Sequence, residues 1–434
     1  MSFRSVVKVL IPRKLFRRIE PYGHLGEAVL FNIVHGFPAR GLKVIGVTGT
    51  NGKTTTCFLI HRMMVQAGYK VGLMTTVGWG VGEDIKPQIH HMTNVAVPEL
   101  MQRLKQMKKA GTEWLVLETT SHALAQNRVW GIPYSLAVMT NVTHEHLDYH
   151  GTFEKYRDDK RRLFKLTNRN KKGLRTGVIN AEDPSAKLFQ SAIKNSLTYG
   201  IKAGEIRASK IKSAPIGSVF DVKSTRQKKL KLHIRTRLAG SFNVYNCLAA
   251  VGVGLVLKIK PADIEKGIAA VKTVEGRMTA VNEGQDFDVI VDYAHTPDSF
   301  EKLFKDLKPV VAGKLIVMFG SAGGQRDKLK RPVQGELAGK YCDEVILTEE
   351  DDRGTPGMEI LDQIAAGAEK AGKSRNKDLF LVHDRTEAIK FTLARAKPGD
   401  TVLLLGKGHE KTIERADGEH PWDEIAAVRK ALSR

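Results

Sequence analysis

Val44-Ile-Gly-Val-Thr-Gly-Thr-Asn-Gly-Lys-Thr-Thr-Thr56 runs from a short apolar strand through a glycine-rich turn into a helical pattern. That order builds a phosphate cradle. Gly49 and Gly52 let the backbone wrap around phosphates, and the helix N-terminus beyond them adds a favourable dipole. Lys53 can reach β- and γ-phosphates, and the Thr54 hydroxyl can bind Mg²⁺. The spacing is GxxGKT, shorter than the common GxxxxGK[ST], because Val47 stands six positions before Lys53. A glycine turn followed by a surface lysine is the plainer reading. It leaves unexplained why strand, turn, GKT and helix coincide, so nucleotide binding is the expectation.

Around this stretch, β-branched runs alternate with helical patterns, the mark of a parallel sheet with crossover helices. Val44 to Val47, Trp114 to Leu117, Leu136 to Met139 and Gly177 to Ile179 read as buried strands. Each ends in polar residues, at Thr48, Glu118 to His122, Asn141 to His146 and Asn180 to Asp183. Carboxyl ends of strands line the ligand crevice of open α/β sheets, so the four clusters are expected to converge. Residues 197 to 237 alternate in the manner of antiparallel strands appended to that sheet. A second alternating series has strands at Phe287 to Val291, Leu315 to Phe319, Glu344 to Leu347, Phe380 to Val382 and Thr401 to Leu405. The predicted class is α/β: a P-loop-type central domain with a mostly parallel sheet, then a C-terminal Rossmann-like α/β domain.

Composition agrees. The chain has 434 residues, too many for one ordinary domain, with 42% hydrophobic and 27% charged residues, the balance of a globular protein with a large core. Its 69 Lys and Arg against 47 Asp and Glu leave a net charge of +22, which calls for an anionic partner. Cys57, Cys247 and Cys342 form no CxxC pair, which argues against a disulfide scaffold or cysteine-built zinc site and for a reducing, cytoplasmic setting. No stretch approaches the roughly 18 apolar residues of a membrane span, and charges interrupt every apolar run near the N-terminus, so no signal peptide is expected.

Two further clusters carry chemistry. Glu118, ending an apolar strand, suits a Mg²⁺ ligand at a crevice mouth, against the alternative of a strand-end cap. Thr140-Asn-Val-Thr-His-Glu-His-Leu-Asp-Tyr-His-Gly151 concentrates imidazoles and carboxylates after a strand, which favours a site over packing. No HExxH or cysteine partner supports zinc there.

The segments GVTGTNGKTTT at 46 to 56, ETTSHALAQNR at 118 to 128, TNVTHEHLDYHG at 140 to 151, GSFNVYNCLAA at 240 to 250 and DYAHTPDS at 292 to 299 resemble the Mur ligase family. GSAGGQRDKLKRP at 320 to 332 and GKGHE at 406 to 410 continue the series in family order. The resemblance is strongest to the branch that adds the third residue of the peptidoglycan stem. It implies an ATP-dependent amide ligase acting through an acyl phosphate, with a short basic N-terminal segment at 1–43, a central ATP-binding domain at 44–274 and an amino-acid-binding domain at 275–434.

Carried over by motif, Gly49, Thr50, Asn51, Gly52, Lys53, Thr54 and Thr55 would hold ATP, with Asn243 at the adenine, Asp292 at the ribose and His295 near the nucleotide. Thr54, Glu118, His146 and Lys160 would face two Mg²⁺ sites, and Lys53, His146 and Lys160 would be catalytic. The family implies that Lys160 is carbamylated; without it, Lys160 reads as a surface lysine among Arg157, Asp158, Asp159 and Arg161. Likewise Asn243 alone reads as a helix N-cap. Thr120, Ser121, Gln126 and Arg128 match the muramyl-peptide positions, and Arg326, Asp351, Arg353, Gly406 and Glu410 the amino-acid positions.

The pattern departs at three places. Only 43 residues precede the first strand, too few for the family's UDP-gripping domain. His91 to Glu99 differs from the family's Thr-Thr-Pro-Glu run. Glu350-Asp351-Asp352-Arg353 stands where diaminopimelate-adding members have Asp-Asn-Pro-Arg; the arginine suits a distal carboxylate, whereas the added carboxylates suit a cationic amine such as lysine. The reading taken is meso-diaminopimelate added to a muramyl-dipeptide acceptor by a monomer with no nucleic-acid partner. The alternatives are a Mur-like ligase on a lipid-linked or folate-like polyglutamate acceptor, or a nucleic-acid-stimulated P-loop ATPase. Arg4, Lys8, Arg13, Lys14, Arg17 and Arg18 among apolar residues suggest peripheral contact of residues 4–19 with an anionic membrane, or a short helix packed on the ligase body.

Overall fold

The computed structural model describes residues 13–88, 93–143, 145, 147–214, 217–324 and 328–433. His146, Arg326 and residues 4–12 lie outside these. The chain divides into two compact units, one of Met1–Ser209, Asp221–Ile234 and Tyr245–Ala270, the other of Lys210–Phe220, Arg235–Val244 and Val271–Arg434.

The larger sheet has the strands β1 (Lys43–Thr48), β2 (Val71–Met74), β3 (Gly78–Val81), β4 (Asp84–Pro87), β5 (Trp114–Glu118), β6 (Tyr134–Met139), β7 (Thr176–Asn180), β8 (Asn195–Gly200), β9 (Ile206–Ser213), β10 (Ser218–Ser224) and β11 (Lys231–Thr236), of which β1 to β8 lie wholly in the first unit. They lie in the order β11-β10-β9-β8-β7-β6-β1-β5-β2-β3-β4. β5 and β6 are buried along their whole length, and β1 beyond Lys43, because helices cover both faces; hence their unbroken apolar runs. β1 pairs in parallel with β5 on one side and β6 on the other. The chain therefore leaves β1 towards β2 and later crosses back to β6, which makes the carboxyl end of β1 a topological switch point. The polar strand ends do converge: Val142 N–H donates to Asp183 Oδ2 at 2.6 Å and Asn180 Nδ2 to Thr140 O at 2.9 Å.

One expectation is corrected. β9 joins β8 in parallel, through Tyr199↔Ile206 and Gly200↔Arg207, rather than as the start of an antiparallel addition. Alternation in β11 reports one buried face, and a period of two carries no information on strand direction.

The second unit holds β12 (Thr279–Val281), β13 (Asp288–Asp292), β14 (Leu315–Phe319), β15 (Glu344–Leu347), β16 (Leu379–Leu381) and β17 (Thr401–Leu405), in the order β12-β13-β17-β14-β15-β16. All pairs but β12 with β13 are parallel. β17 inserts between β13 and β14, so a second switch point lies where Asp292 and Gly406 follow their strands. Arg385 fastens this edge: it is fully buried and bonds Glu424 through Nε at 2.8 Å and Nη2 at 2.7 Å, and the carbonyls of Glu349 and Leu405 at 2.9 Å each. With its donors satisfied, the buried guanidinium holds the ends of β15 and β17 against the last helix, Glu424–Leu432.

Candidate active site

The loop from Gly49 to Gly52 joins β1 to the helix Lys53–Gln66, whose N-terminus carries no side-chain cap. Both glycines are required. Gly49 has φ +150° and a Cβ there would overlap the Thr140 hydroxyl; Gly52 has φ +81° and a Cβ would overlap the Asn246 amide. Residues after β6 pin the loop. Thr50 N–H donates to Asn141 O at 2.7 Å, Asn51 N–H to Asn141 Oδ1 at 2.9 Å, and Thr140 Oγ1 to Asn51 O at 2.7 Å. Thr143 N–H in turn donates to Thr50 Oγ1 at 2.9 Å. The amides of Thr50 and Asn51 are thus both engaged by Asn141. Lys53 Nζ folds back to Thr50 O at 2.7 Å.

Thr54, buried in the first helical turn with Thr55 behind it, donates its hydroxyl to both oxygens of Glu118, at 3.1 and 3.0 Å. Glu118 is buried and also accepts from Thr76 N–H at 3.0 Å and Thr76 Oγ1 at 3.1 Å. A hydroxyl and a carboxylate in contact form an all-oxygen donor set, the kind a hard cation such as Mg²⁺ takes. An uncapped helix N-terminus behind two obligatory glycines, with Lys53 beside it, likewise fits a polyphosphate.

Lys160 is not a surface residue. It lies on the helix Phe153–Arg169 in register with the buried Tyr156, Leu163 and Phe164, is 2% exposed, and donates from Nζ to Gly49 O at 2.6 Å. Its ammonium stands 4.4 Å from the centre of the Tyr156 ring. Burial, and then the charge of Lys53, hold its ionisation well below the ordinary lysine range, so the amine is favoured in its neutral form. His146, the other metal-site candidate, lies outside the described residues.

A second set gathers beside this one. Thr120 caps the short helix Ser121–Ala125 by accepting from Ala123 N–H at 3.1 Å. Ser121 Oγ lies 3.1 Å from His150 Nε2, and His150 Nδ1 lies 2.9 Å from Asp159 Oδ2, all three buried. Gln126 Oε1 accepts from Arg128 Nε at 2.9 Å, and Arg128 Nη1 reaches Asn94 O at 2.5 Å. Asn94 was not singled out in the sequence, yet it ties the set together. Its Nδ2 donates to Glu118 O at 2.7 Å, and its Oδ1 accepts from Thr120 N–H and Thr120 Oγ1, each at 2.9 Å. Asn94→Ala would leave these buried groups unpaired, so a loss of about 2 kcal/mol is expected, seen as a lower denaturation midpoint with an unchanged denaturant slope.

In the second unit, Asp292 ends β13 and accepts from Met278 N–H and Ala294 N–H, both at 2.7 Å. Its burial raises the carboxyl's pKa and so disfavours the ionised form, against the pull of Arg277. His295 lies three residues on, its Nδ1 at 2.9 Å from Tyr293 O. Asn243 is not an N-cap: it sits inside the helix Ser241–Val256 with Nδ2 donating to Ala239 O at 2.5 Å.

The amino-acid candidates form one ion-pair cluster. Lys407, buried and unremarked in the sequence, bridges Asp351 Oδ1 at 2.9 Å and Glu410 Oε2 at 2.7 Å. Burial disfavours its charge, but Glu410 and Asp351 outweigh this and hold its ionisation above the ordinary lysine range. Arg353, with φ +47°, contacts Asp351 at 3.3 Å and Glu414 at 2.7 Å and remains partly exposed. Gly406 abuts the Glu350 carboxylate, and Tyr293 OH donates to Glu410 Oε1 at 3.2 Å. Arg326 lies outside the described residues. Glu349, Asp352 and His383 present ligand atoms within 4.8 Å of one another, but Arg415 holds both oxygens of Glu349, at 2.7 and 2.9 Å, so the trio is an ion-pair network.

Comparison with known proteins bears on these two clusters. Residues 47–254 match the family model "Mur ligase middle domain" and residues 276–408 "Mur ligase, glutamate ligase domain". The chain is 42% identical to the UDP-N-acetylmuramyl-tripeptide synthetase of a Roseiflexus species, over 95% of its own length and 83% of the relative's. It is 38% identical to the UDP-N-acetylmuramoyl-L-alanyl-D-glutamate–2,6-diaminopimelate ligase of Geobacillus thermodenitrificans, over 99% of its own length and 87% of the relative's. A solved structure of a UDP-N-acetylmuramoyl-L-alanyl-D-glutamate–2,6-diaminopimelate ligase aligns at 29% identity with a TM-score of 0.66, covering 96% of this chain and 82% of that one. With a glycine cradle, an oxygen-lined carboxylate and a buried lysine on one unit, and matched relatives over nearly its whole length, the chain belongs to the Mur ligase family.

Proposed function

We propose that this Mur ligase uses ATP and Mg²⁺ to join an amino acid, meso-diaminopimelate, to the D-glutamate carboxylate of UDP-N-acetylmuramoyl-L-alanyl-D-glutamate in peptidoglycan precursor synthesis. The observation that carries the reading is the meeting of Gly49 to Thr54, Glu118 and Lys160 at the carboxyl end of β1.

In this reading an acceptor carboxylate oxygen attacks the γ-phosphorus, ADP leaves, and the acyl phosphate so formed is attacked by the amine, releasing phosphate. Phosphoryl transfer of this kind needs positioning and charge neutralisation more than covalent help. ATP would supply the phosphoryl group, and Mg²⁺, when bound, would neutralise charge on the phosphates. Gly49, Thr50, Asn51, Gly52 and Thr55 shape the cradle, and Lys53 places a cation at the phosphates. Thr54 and Glu118 offer oxygens to one Mg²⁺, and His146 with Lys160 serve the other. The neutral amine of Lys160 adds to carbon dioxide, forming an N–C bond and releasing a proton, so that a cation becomes a carboxylate-like ligand. Asn243, Asp292 and His295 serve the adenosine.

Thr120, Ser121, Gln126 and Arg128 hold the acceptor, and Arg326, Arg353, Gly406 and Glu410 the amino acid. The choice of diaminopimelate is supported by Lys407. Lys407 and Arg353 both bond Asp351, so that carboxylate is engaged rather than open to a second ammonium, while the partly exposed Arg353 can pair with a distal carboxylate. The enzyme is proposed to work as a monomer in the cytoplasm. Reactions with ATP, Mg²⁺ and the UDP-muramyl dipeptide, given diaminopimelate, lysine or neither, test this by product mass. A tripeptide formed only with diaminopimelate supports it, one formed only with lysine overturns the choice of amino acid, and none with either overturns the acceptor.

A further inference from the structure

The helix Arg13–Val34 is amphipathic in an unusual sense. One side is built into the first unit, with Ala28 and Asn32 fully buried, Phe31 packed on the core, and Asn32 Nδ2 donating to Ala28 O at 2.8 Å and Trp130 O at 3.3 Å. The opposite side faces solvent. Ile19, Tyr22, Leu30, Ile33 and Val34 are 48, 73, 56, 59 and 67% exposed, with Gly23 and Gly26 exposed between them. At 100° per residue these seven positions fall within one third of the helix circumference, and no charged residue lies among them. The charged residues of this stretch stand to the side, where His24 meets Glu20 at 3.9 Å and Glu27 at 3.3 Å. Five of the ten exposed large hydrophobic side chains among the described residues lie on this face, and a sixth, Trp130, belongs to the loop that Asn32 binds.

A charge-free apolar face of four turns left in water is costly unless something covers it. The flanking sequence points to the occupant. Arg4, Lys8, Arg13, Lys14, Arg17 and Arg18 precede the first acidic residue, Glu20, in a chain whose net charge is +22. Clustered cations preceding an apolar stripe that bears a tyrosine match an anionic bilayer surface, which offers negative headgroups above an apolar interior. No helix among the described residues is long and apolar enough to cross a membrane. We propose that the Ile19–Val34 face of this helix seats the enzyme on an anionic lipid surface.

The test is vesicle flotation of the full chain, Leu30→Glu/Ile33→Glu, and the control Val333→Glu/Met358→Glu, which places the same two charges at exposed apolar sites elsewhere. Vesicles are phosphatidylcholine alone or mixed with phosphatidylglycerol. The wild type and the control are expected to float with the mixed vesicles, weakly with the neutral ones, and less as salt rises. Leu30→Glu/Ile33→Glu is expected to lose binding by about tenfold or more with unchanged melting and unchanged ATP-dependent ligation. Failure of the wild type to float, or equal flotation of the two double variants, overturns the proposal. So does a wild-type dimer, seen by light scattering and abolished by Leu30→Glu/Ile33→Glu, in a protein that does not float.

Discussion

Lys160→Ala is expected to abolish ligation, with kcat lower by about a thousandfold or more, as removal of a metal ligand costing several kcal/mol of transition-state stabilisation would give. The reason lies in the burial of the amine. In water a lysine is protonated at neutral pH and cannot add to carbon dioxide, but desolvation and the neighbouring Lys53 hold the pKa of Lys160 well below the ordinary lysine range, which raises its share of neutral amine. The sign gives a second readout. As pH falls through the lowered ionisation, the amine takes up a proton and the carbamate is lost, so activity falls on the acid side. Wild-type enzyme depleted of carbon dioxide should therefore regain activity when bicarbonate is added, and Lys160→Ala should not respond. An active Lys160→Ala enzyme, or a wild type indifferent to bicarbonate after depletion, contradicts the carbamate role.

Glu118→Gln is expected to lower kcat by about a hundredfold to a thousandfold and to move the Mg²⁺ requirement to higher concentration. The carboxylate takes the Thr54 hydroxyl on both oxygens and two donors from Thr76 on Oε2. A glutamine keeps one acceptor and turns an N–H₂ group towards donors, while removing the charge that a divalent cation needs. The side chain is buried, so thermal melting must accompany the kinetics. A Mg²⁺ titration separates the two effects, since loss of the cation site is partly recovered at high Mg²⁺ and a collapsed loop is not. A kcat within twofold of wild type at ordinary Mg²⁺ contradicts the assignment.

These two residues show what the sequence could reveal. Glu118 ends a five-residue apolar strand, and the switch of character from Leu117 to Glu118 marks the crevice without any partner being known. The strands around it were legible for the same reason: burial on both faces leaves runs that need no long-range information. Lys160 was hidden by its neighbours. Arg157, Asp158, Asp159 and Arg161 give the segment the look of a solvated face, although Tyr156, Lys160, Leu163 and Phe164 follow the helical period that buries them. Asn94 was illegible in a stronger sense, since it gains its role by bonding residues 24 and 26 positions away. Lys407 is a related case: its ion pair with Asp351 spans 56 positions of chain, so the charge balance of the amino-acid cluster could not be read locally. Strand direction between β8 and β9 was likewise beyond reach, because alternation specifies a face and not a direction.

The central claim is that these residues pass a phosphoryl group to the acceptor's carboxylate before the amine arrives. It is tested most directly by labelling both carboxylate oxygens of the D-glutamate α- and γ-carboxyls with the heavy oxygen isotope and analysing the phosphate released during ligation. The account predicts one labelled oxygen in each phosphate, because the oxygen that attacked phosphorus leaves with it. Released phosphate that carries no label, while the tripeptide forms, would contradict it.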